Sequence, residues 1–262
     1  MTSRIAEIVE NGQHFEDAQN DLPSRKRQTQ LPEFIMTFTW QWFASTMATG
    51  SIAVVLFQTP YRFPGLLTIG KIVFLIDIIS FLIICAAITT RFVLGPRALK
   101  ESLYDSKEAF FFGAFWVSVA LILQNISQYG TPKCGPWLVK ALEVSFWLYF
   151  VCIVVVAVGQ YHALFIHRNL NIEKMTPMWL LPIYPLLVTG PLAAVIVQSQ
   201  PPDRASPIWV CGVASQGLGW MVTVFMYAMF ALRLLTEDIP APPLRPGMYI
   251  AVGPTGMCLS SS

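Results

Sequence analysis

A chain of 262 residues that is 55% hydrophobic and 12% charged, with a mean hydropathy of +0.56, is too apolar for a soluble protein. Its formal net charge is only +2, and the charges are confined to the segments between long apolar runs. Because about 20 apolar residues cross a bilayer as a helix, we predict an all-α polytopic membrane protein and exclude the short alternating strands of a membrane barrel.

The N-terminal tail, 1–33, is polar and mixed in charge, and it lacks the apolar core of a signal peptide. The membrane domain is predicted over 34–235. Its six complete spans lie at about 35–58, 66–91, 108–127, 136–166, 177–198 and 206–235. A Pro-rich cytoplasmic linker, 236–247, precedes a partial seventh helix in 248–262 whose apolar part is too short to span.

The distribution of Lys and Arg predicts the orientation of the chain. These residues concentrate in the N-terminal tail and in the loops that follow spans two, four and six. The positive-inside rule then places the N-terminus in the cytoplasm. The loops on the opposite side are shorter, which pairs the spans as hairpins: one with two, three with four, five with six. Repeated hairpins are typical of transporters and channels whose equivalent helices surround a shared path.

Stretches of small residues recur in the odd-numbered spans. They are TMATGSIAVVL (46–56) in span one, LLVTGPLAAV (186–195) in span five and IAVGPTG (250–256) in the partial span seven. Two explanations are open. Small residues allow helices to pack closely, or kinked helices expose carbonyls to a water-filled path. Span three offers only Gly113, nearer its start, as a weak match. Recurrence at similar depth in spans one, five and seven favours a pore lined by the odd helices.

Other chemical groups within the spans are few. Asp77, Glu143 and His162 could relay protons or bind a substrate cation, but interhelical hydrogen bonds or hydrated helix ends explain them as well and are favoured. Five scattered cysteines indicate small core residues rather than disulfides or metal ligands. With no phosphate loop, metal cluster or acid-base set, we expect no enzyme, no cofactor, no metal site and no nucleic-acid partner.

Several blocks in one order resemble a known family. They include FTWQWFASTMATGSIAVVL (38–56), GPWLVKALEVSFWLYF (135–150), MTPMWLLPIYPLLVTGPLAAVI (175–196) and RPGMYIAVGPTG (245–256). The sequence is similar to fungal C4-dicarboxylate or malic acid transport proteins over roughly 34–256. These belong to the tellurite-resistance and dicarboxylate transporter family, which also contains plant slow anion channels and fungal sulfite efflux pumps.

The resemblance implies a ten-helix bundle in which odd helices surround a central anion path and even helices lie outside, assembled as a homotrimer in the plasma membrane. It implies transport of small organic anions such as malate, with sulfite or inorganic anion export as the alternative. Carried over by position, the implied pathway residues are Thr49, Gly50, Ser51, Gly190, Pro191, Gly253 and Pro254.

The chain departs from the family pattern at its C-terminal end. Family members continue through helices seven to ten, so the sequence predicts a C-terminally truncated member. An inactive membrane fragment is therefore a further alternative, of a different class from a transporter.

Overall fold

The computed structural model describes residues 37–94, 102, 106–167, 175–236, 242–254 and 256. The predicted N-terminal tail, most of the linker's first half and the last residues of the chain lie outside this described part. All the regular secondary structure in this part is helical, and it contains no strand.

Six α-helices lie where the six spans are predicted. They are α1 (Phe43–Gln58), α2 (Leu66–Leu94), α3 (Phe112–Asn125), α4 (Pro136–His167), α5 (Tyr184–Val197) and α6 (Pro202–Thr236). Short helical pieces precede or extend them: 3-10 turns at Trp40–Trp42 and Pro177–Ile183, one α-helical turn at Ser106–Ala109, and a π-helical end at Ile126–Gly130. A further 3-10 segment, Pro242–Val252, covers the second half of the predicted linker and the start of the predicted partial seventh helix.

Four helical segments of the described chain are individually long and apolar enough to cross a membrane: Leu66–Leu94, Pro136–His162, Pro177–Val197 and Pro202–Thr236. Helices α1, α3 and α5 have 16, 14 and 14 residues and by themselves fall short of the roughly 20 that a span needs. Each is lengthened by its adjoining 3-10 or π-helical piece. Helix α5 reaches span length together with Pro177–Ile183. The positions of all six predicted spans thus agree with helices, while length and composition alone support four of them as spans.

Prolines explain the irregular entry into α5. Pro177, Pro182 and Pro185 each lack the N–H group that an α-helical turn uses. The chain therefore enters as a 3-10 helix and becomes α-helical at Tyr184. Pro191 lies inside α5, but the helix continues past it to Val197.

The helices are arranged as an inner row of odd members with even members outside. Helix α3 packs against α1 on one side and α5 on the other. Helix α5 is buried along 89% of its spanning window, whereas the windows of α2, α4 and α6 are only 17%, 28% and 22% buried. The outward surfaces of α2, α4 and α6 are rich in exposed Ile, Leu and Val. Such surfaces suit contact with lipid chains.

The three predicted hairpins differ in how extensively their two helices pack against each other. Helix α2 packs extensively on α1, and α6 on α5, as the loop pattern predicts. Helix α4 packs mainly on α5 and less on its sequence neighbour α3. The reason is that α3 uses its buried residues for two odd neighbours at once: Gly113 lies against the backbone of Leu181, and Ser118 against α1. Little of its surface is left for α4.

An aromatic cluster holds α1, α2 and α3 together at the predicted cytoplasmic end. Trp40 meets Phe112 edge to face with ring centres 4.8 Å apart, and Phe43 meets Phe115 in the same way at 5.1 Å. Phe43 is 1% exposed and also contacts Phe81 of α2. Such pairs prefer these tilted arrangements over face-to-face stacking. The cluster fixes the position of the N-terminal end of α1, which precedes Gly50.

Candidate functional site

A row of hydrogen bonds joins α1 to α3 along the face that carries Gly50. Three residue pairs make this α1–α3 seam: Thr46 with Ser118, Gly50 with Asn125, and Ala53 with Tyr129. The hydroxyls of the first pair lie 2.8 Å apart, Asn125 Nδ2 donates to the Gly50 carbonyl at 3.1 Å, and the Tyr129 hydroxyl donates to the Ala53 carbonyl at 2.8 Å. Positions 46, 50 and 53 share one helical face, as do 118, 125 and 129.

Sequence reasoning missed the α3 side of this seam. Ser118 and Asn125 are buried polar residues seven positions apart, so a search for polar residues with helical spacing inside an apolar span could have found them. Asn125 also donates to the Leu121 carbonyl at 2.9 Å, which orients its amide toward α1. The seam therefore fixes the depth and rotation of α1 relative to α3.

Gly50 lies where three helices meet. A Cβ atom added at this position would lie 2.9 Å from Oδ2 of Asp77 on α2 and 3.2 Å from Cβ of Leu121 on α3. Only glycine therefore allows both neighbours to approach α1 this closely. Close helix packing thus explains why residue 50 is a glycine. This explanation holds whether or not the same turn also borders a path.

The hydroxyls beside Gly50 bond to their own helix. Thr49 Oγ1 donates to the Ser45 carbonyl at 2.9 Å, and Ser51 Oγ donates to the Met47 carbonyl at 2.7 Å. Both side chains are partly exposed. To donate to an anion, each hydroxyl must rotate away from its carbonyl, which makes these two groups adjustable donors rather than fixed ones.

The Gly190–Pro191 stretch lies in the contact between α5 and α6. A Cβ at position 190 would overlap the Gln216 side chain of α6, and one at Gly212 would overlap Ala193 of α5. Gly219 adds a third close approach, with Leu187 side-chain carbons at 3.1 and 3.2 Å from the added Cβ. Pro191 has no N–H for the carbonyl of Leu187, the residue four positions earlier. Small residues hold the two helices together here.

Gly253 and Pro254 lie beside the start of α5. A Cβ at Gly253 would lie 2.8 Å from the hydroxyl oxygen of Tyr184, and Pro254 is buried. The Tyr184 hydroxyl donates to the carbonyl of Ile250, and the Tyr227 hydroxyl of α6 donates to that of Ala251. Two helices thus hold successive carbonyls of the 3-10 segment. The three small-residue stretches thus pack against three different sets of side chains. A shared path along them stays a prediction.

The ionisable residues in the spans have three different environments. Asp77 is 1% exposed and faces Gly50. Glu143 of α4 accepts from Arg204 Nη1 of α6 at 2.8 Å, so it forms an interhelical ion pair as the simpler explanation predicts. His162 is exposed near the end of α4. The functional explanation therefore stays open for Asp77 alone of the three.

The described residues hold no group of three or more His, Cys, Asp or Glu side chains that could ligate a metal ion. The four cysteines in the described part, Cys85, Cys134, Cys152 and Cys211, form no disulfide. What these residues offer chemically is a set of close helix contacts, a few hydroxyl and amide groups, and one buried carboxylate.

The fold and the candidate site define a polytopic helical membrane protein with an inner row of odd helices joined through small residues. The sequence over residues 37–262 matches the family of SLAC1-type voltage-dependent anion channels, and the chain belongs to this family. Its members are channels and transporters rather than enzymes, as the sequence predicts.

Individual relatives are named as transport proteins. The malic acid transport protein of Schizosaccharomyces pombe is 32% identical over 224 residues, which is 86% of this chain and 51% of that protein. Sulfite efflux pumps of Arthroderma benhamiae and Trichophyton rubrum are 27% and 26% identical over 235 residues, 89% of this chain and 62% of each pump. The chain thus spans about half the length of the first and less than two thirds of the others. No solved structure matches significantly.

Proposed function

We propose that this chain forms a membrane path for small organic anions, C4-dicarboxylates such as malate in particular. The observation that carries the proposal is the 32% identity to a malic acid transport protein over 86% of the chain. The inner row of α1, α3 and α5 supports it, because a path needs helices shielded from lipid and α5 is the most shielded of the spanning helices.

The proposed path runs along the odd helices past Thr49, Gly50, Ser51, Gly190, Pro191, Gly253 and Pro254. Glycines set a narrow bore because they add no side chain. The hydroxyls of Thr49 and Ser51 are the donors that an anion would meet at the Gly50 turn, once they rotate from their carbonyls. Helix termini and a positive potential at the membrane surface complete the stabilisation of the anion.

Sulfite or another small inorganic anion is the second candidate substrate. Identity to sulfite efflux pumps over 89% of the chain favours it. A carboxylate and an oxyanion of sulfur both need hydrogen-bond donors and a path that excludes cations, so a glycine-lined bore serves either. The lower identity, 27% against 32%, makes the organic anion the first choice.

The proposed assembly is a homotrimer in the plasma membrane with the N-terminus in the cytoplasm. The exposed apolar surfaces of α2, α4 and α6 provide area for lipid and for neighbouring copies alike. The Lys and Arg bias of the loops supports the orientation.

Flux measurements in a host that lacks its own malate carrier test the function. We expect uptake of labelled malate above that of the empty host, and sulfite sensitivity unchanged. Lowered sulfite sensitivity without malate uptake would favour the sulfite candidate. Neither effect, with the protein present in the membrane as a homogeneous oligomer, would refute both candidates and leave the inactive fragment.

A further inference from the structure

Asp77 is a carboxylate in the interior of α2 at the depth of Gly50. It follows the first residue of that helix, Leu66, by eleven positions, or about 16 Å along the axis at 1.5 Å per residue. Its side chain is 1% exposed, and Oδ2 lies 2.9 Å from the position that a Cβ of residue 50 would take. The absent side chain at Gly50 therefore makes the room that this carboxylate fills.

No cation faces this carboxylate from the helices packed against α2. Helix α1 contains no Asp, Glu, Lys, Arg, His, Cys or Tyr, and neither does α3. The π-helical end of α3 carries Tyr129, whose hydroxyl is engaged by the Ala53 carbonyl and whose ring stacks on Phe74, toward the outer end of α2. The described helices that pack against α2 thus offer Asp77 no counter-charge.

The other titratable groups of α2 are turned elsewhere. Lys71 is exposed near the outer end, and Cys85 is half-buried two turns beyond Asp77. Arg91, at the inner end, donates to Glu108 at 3.1 Å and to a backbone carbonyl. Asp77 is therefore the one carboxylate of α2, and no cation of that helix forms an ion pair with it.

Both oxygens of Asp77 lack a hydrogen-bond partner among the residues that the structure describes. Oδ1 of Asn125, whose Nδ2 donates to the Gly50 carbonyl, is buried and equally without a donor in that part of the chain. The surroundings of Gly50 thus hold three unmatched acceptor atoms. An ionised carboxylate in such a place is costly, and a single added proton supplies a donor while removing the charge.

A metal cation fits this place less well than a proton. Hard cations take six or more oxygen ligands, or several with ordered water. Around Gly50 the described residues offer one carboxylate and one amide oxygen without partners. A proton needs only one of these atoms.

We propose that Asp77 is a protonation-controlled electrostatic gate for the anion path at Gly50. As a carboxylic acid it is neutral, and an anion passes the Gly50 turn. When the O–H bond breaks, the proton leaves to water, the electron pair stays on the carboxylate, and the negative charge repels an anion across a glycine that has no side chain to shield it. The inference rests on the proposed function, since it needs an anion path beside Gly50.

The first test compares fluxes of the wild-type protein and Asp77→Asn, whose amide is neutral at every pH and nearly the same size. Dividing one flux by the other at each pH cancels any change in the protonation of the transported acid. We expect a ratio that falls as pH rises across the range in which the protein stays folded, approaching about tenfold per pH unit, as one proton requires. A ratio that stays constant over this range would overturn the gate.

The second test needs no flux. Infrared spectra of the wild-type protein in membranes should contain a protonated-carboxyl band that disappears in Asp77→Asn and, in the wild type, disappears as pH rises. The control Glu143→Gln removes an ion-paired carboxylate and should leave the band in place. Failure to find the band at the low end of the pH range would also overturn the proposal, as would a band that depends on sodium or potassium instead of pH.

The outcomes separate the gate from the proposed function. No flux from either protein would defeat the function, while the infrared band would still decide whether Asp77 holds a proton. Flux without the band or without the falling ratio would defeat the gate alone. If Asp77→Asn does not fold, aspartate labelled with carbon-13 in the wild-type protein replaces it, because the isotope shift identifies the band as an aspartate.

Discussion

At the scale of single residues, the glycines of the membrane domain differ in how tightly they are enclosed. Gly50 is closed in by Asp77 and Leu121, whereas Gly159 of α4 has open space where a Cβ would be. Both are helix residues in an apolar span. Gly50 lies in a stretch of small residues and Gly159 does not, but that stretch does not show which neighbours enclose Gly50. What distinguishes them is the packing of α2 and α3 on α1.

Gly50→Ala should therefore destabilise the protein by about 1–3 kcal/mol, the usual cost of overpacking a closed site. Its Cβ meets the Asp77 carboxylate and a Leu121 Cβ that is fixed by the α3 backbone. Thermal unfolding of the purified protein in detergent measures the effect. The matched control, Gly159→Ala, should be neutral or raise stability by about 0.5–1 kcal/mol through helix propensity. Equal effects of both substitutions would contradict the enclosure of Gly50.

Two interhelical ion pairs of the described residues, Arg91–Glu108 and Arg204–Glu143, also differ in burial. Arg91 and Glu108 are 12% and 18% exposed, and Glu108 accepts a further hydrogen bond from Ser102 Oγ at 2.6 Å. In the outer pair, Arg204 is 51% exposed. Water and salt screen the outer pair, whereas the inner one connects α2 with the turn that precedes α3.

We expect Glu108→Gln to cost about 1–3 kcal/mol, because it removes a charge-assisted, partly buried pair. The corresponding substitution in the outer pair, Glu143→Gln, should cost about 0–1 kcal/mol and lose even this effect in high salt. Unfolding curves at low and high salt distinguish the two. A larger loss of stability for Glu143→Gln than for Glu108→Gln would show that burial does not determine which ion pair stabilises the protein more.

At the scale of helices, one tyrosine at the π-helical end of α3 contacts both α1 and α2. Tyr129 donates to the Ala53 carbonyl of α1, and its hydroxyl fills the space that a Cβ at Gly70 of α2 would occupy. One side chain at the π-helical end of α3 therefore sets the approach of two other helices. This geometry makes positions 70 and 129 energetically coupled.

A double-mutant cycle should measure this coupling. Gly70→Ala alone should be strongly destabilising because its methyl group overlaps the hydroxyl, and Tyr129→Phe alone should cost about 0.6 kcal/mol for one hydrogen bond in a membrane protein. In the double mutant the oxygen is gone, and the nearest ring atom, Cζ, lies at 3.0 Å from the added Cβ. The combined loss should then be smaller than the sum. Additive losses would exclude the contact.

The helices themselves could be predicted from the sequence, but their partners could not. Apolar runs of span length locate α2, α4, α5 and α6 because a bilayer demands that length. The α1–α3 seam depends on how two helices are rotated about their axes, which Ser118 and Asn125 alone do not define. The same holds for Glu143, whose partner Arg204 lies 61 positions away. Nor do the loop lengths reveal that α4 packs on α5 more than on α3.

At the scale of the whole molecule, the inner row and the lipid-facing outer helices agree with membership of an anion channel family. Proline chemistry contributes to this arrangement, because the deeply buried α5 begins as a 3-10 helix that also contacts the 3-10 segment Pro242–Val252. The candidate path residues lie in this inner part of the molecule and at its ends. Flux measurements test whether these residues border one path. The orientation of the chain can be tested separately by chemical labelling.

Cysteine labelling tests that orientation. Cys134 is exposed in the loop between α3 and α4, which the Lys and Arg bias predicts to lie outside the cell. A variant that keeps Cys134 and replaces the other four cysteines by Ser should react with a membrane-impermeant maleimide on intact cells. The matched control replaces Cys134 as well and carries Thr236→Cys, at the exposed inner end of α6, and it should react only after permeabilisation. The reverse pattern would place the N-terminus outside, since six spans put both ends of the membrane domain on one side.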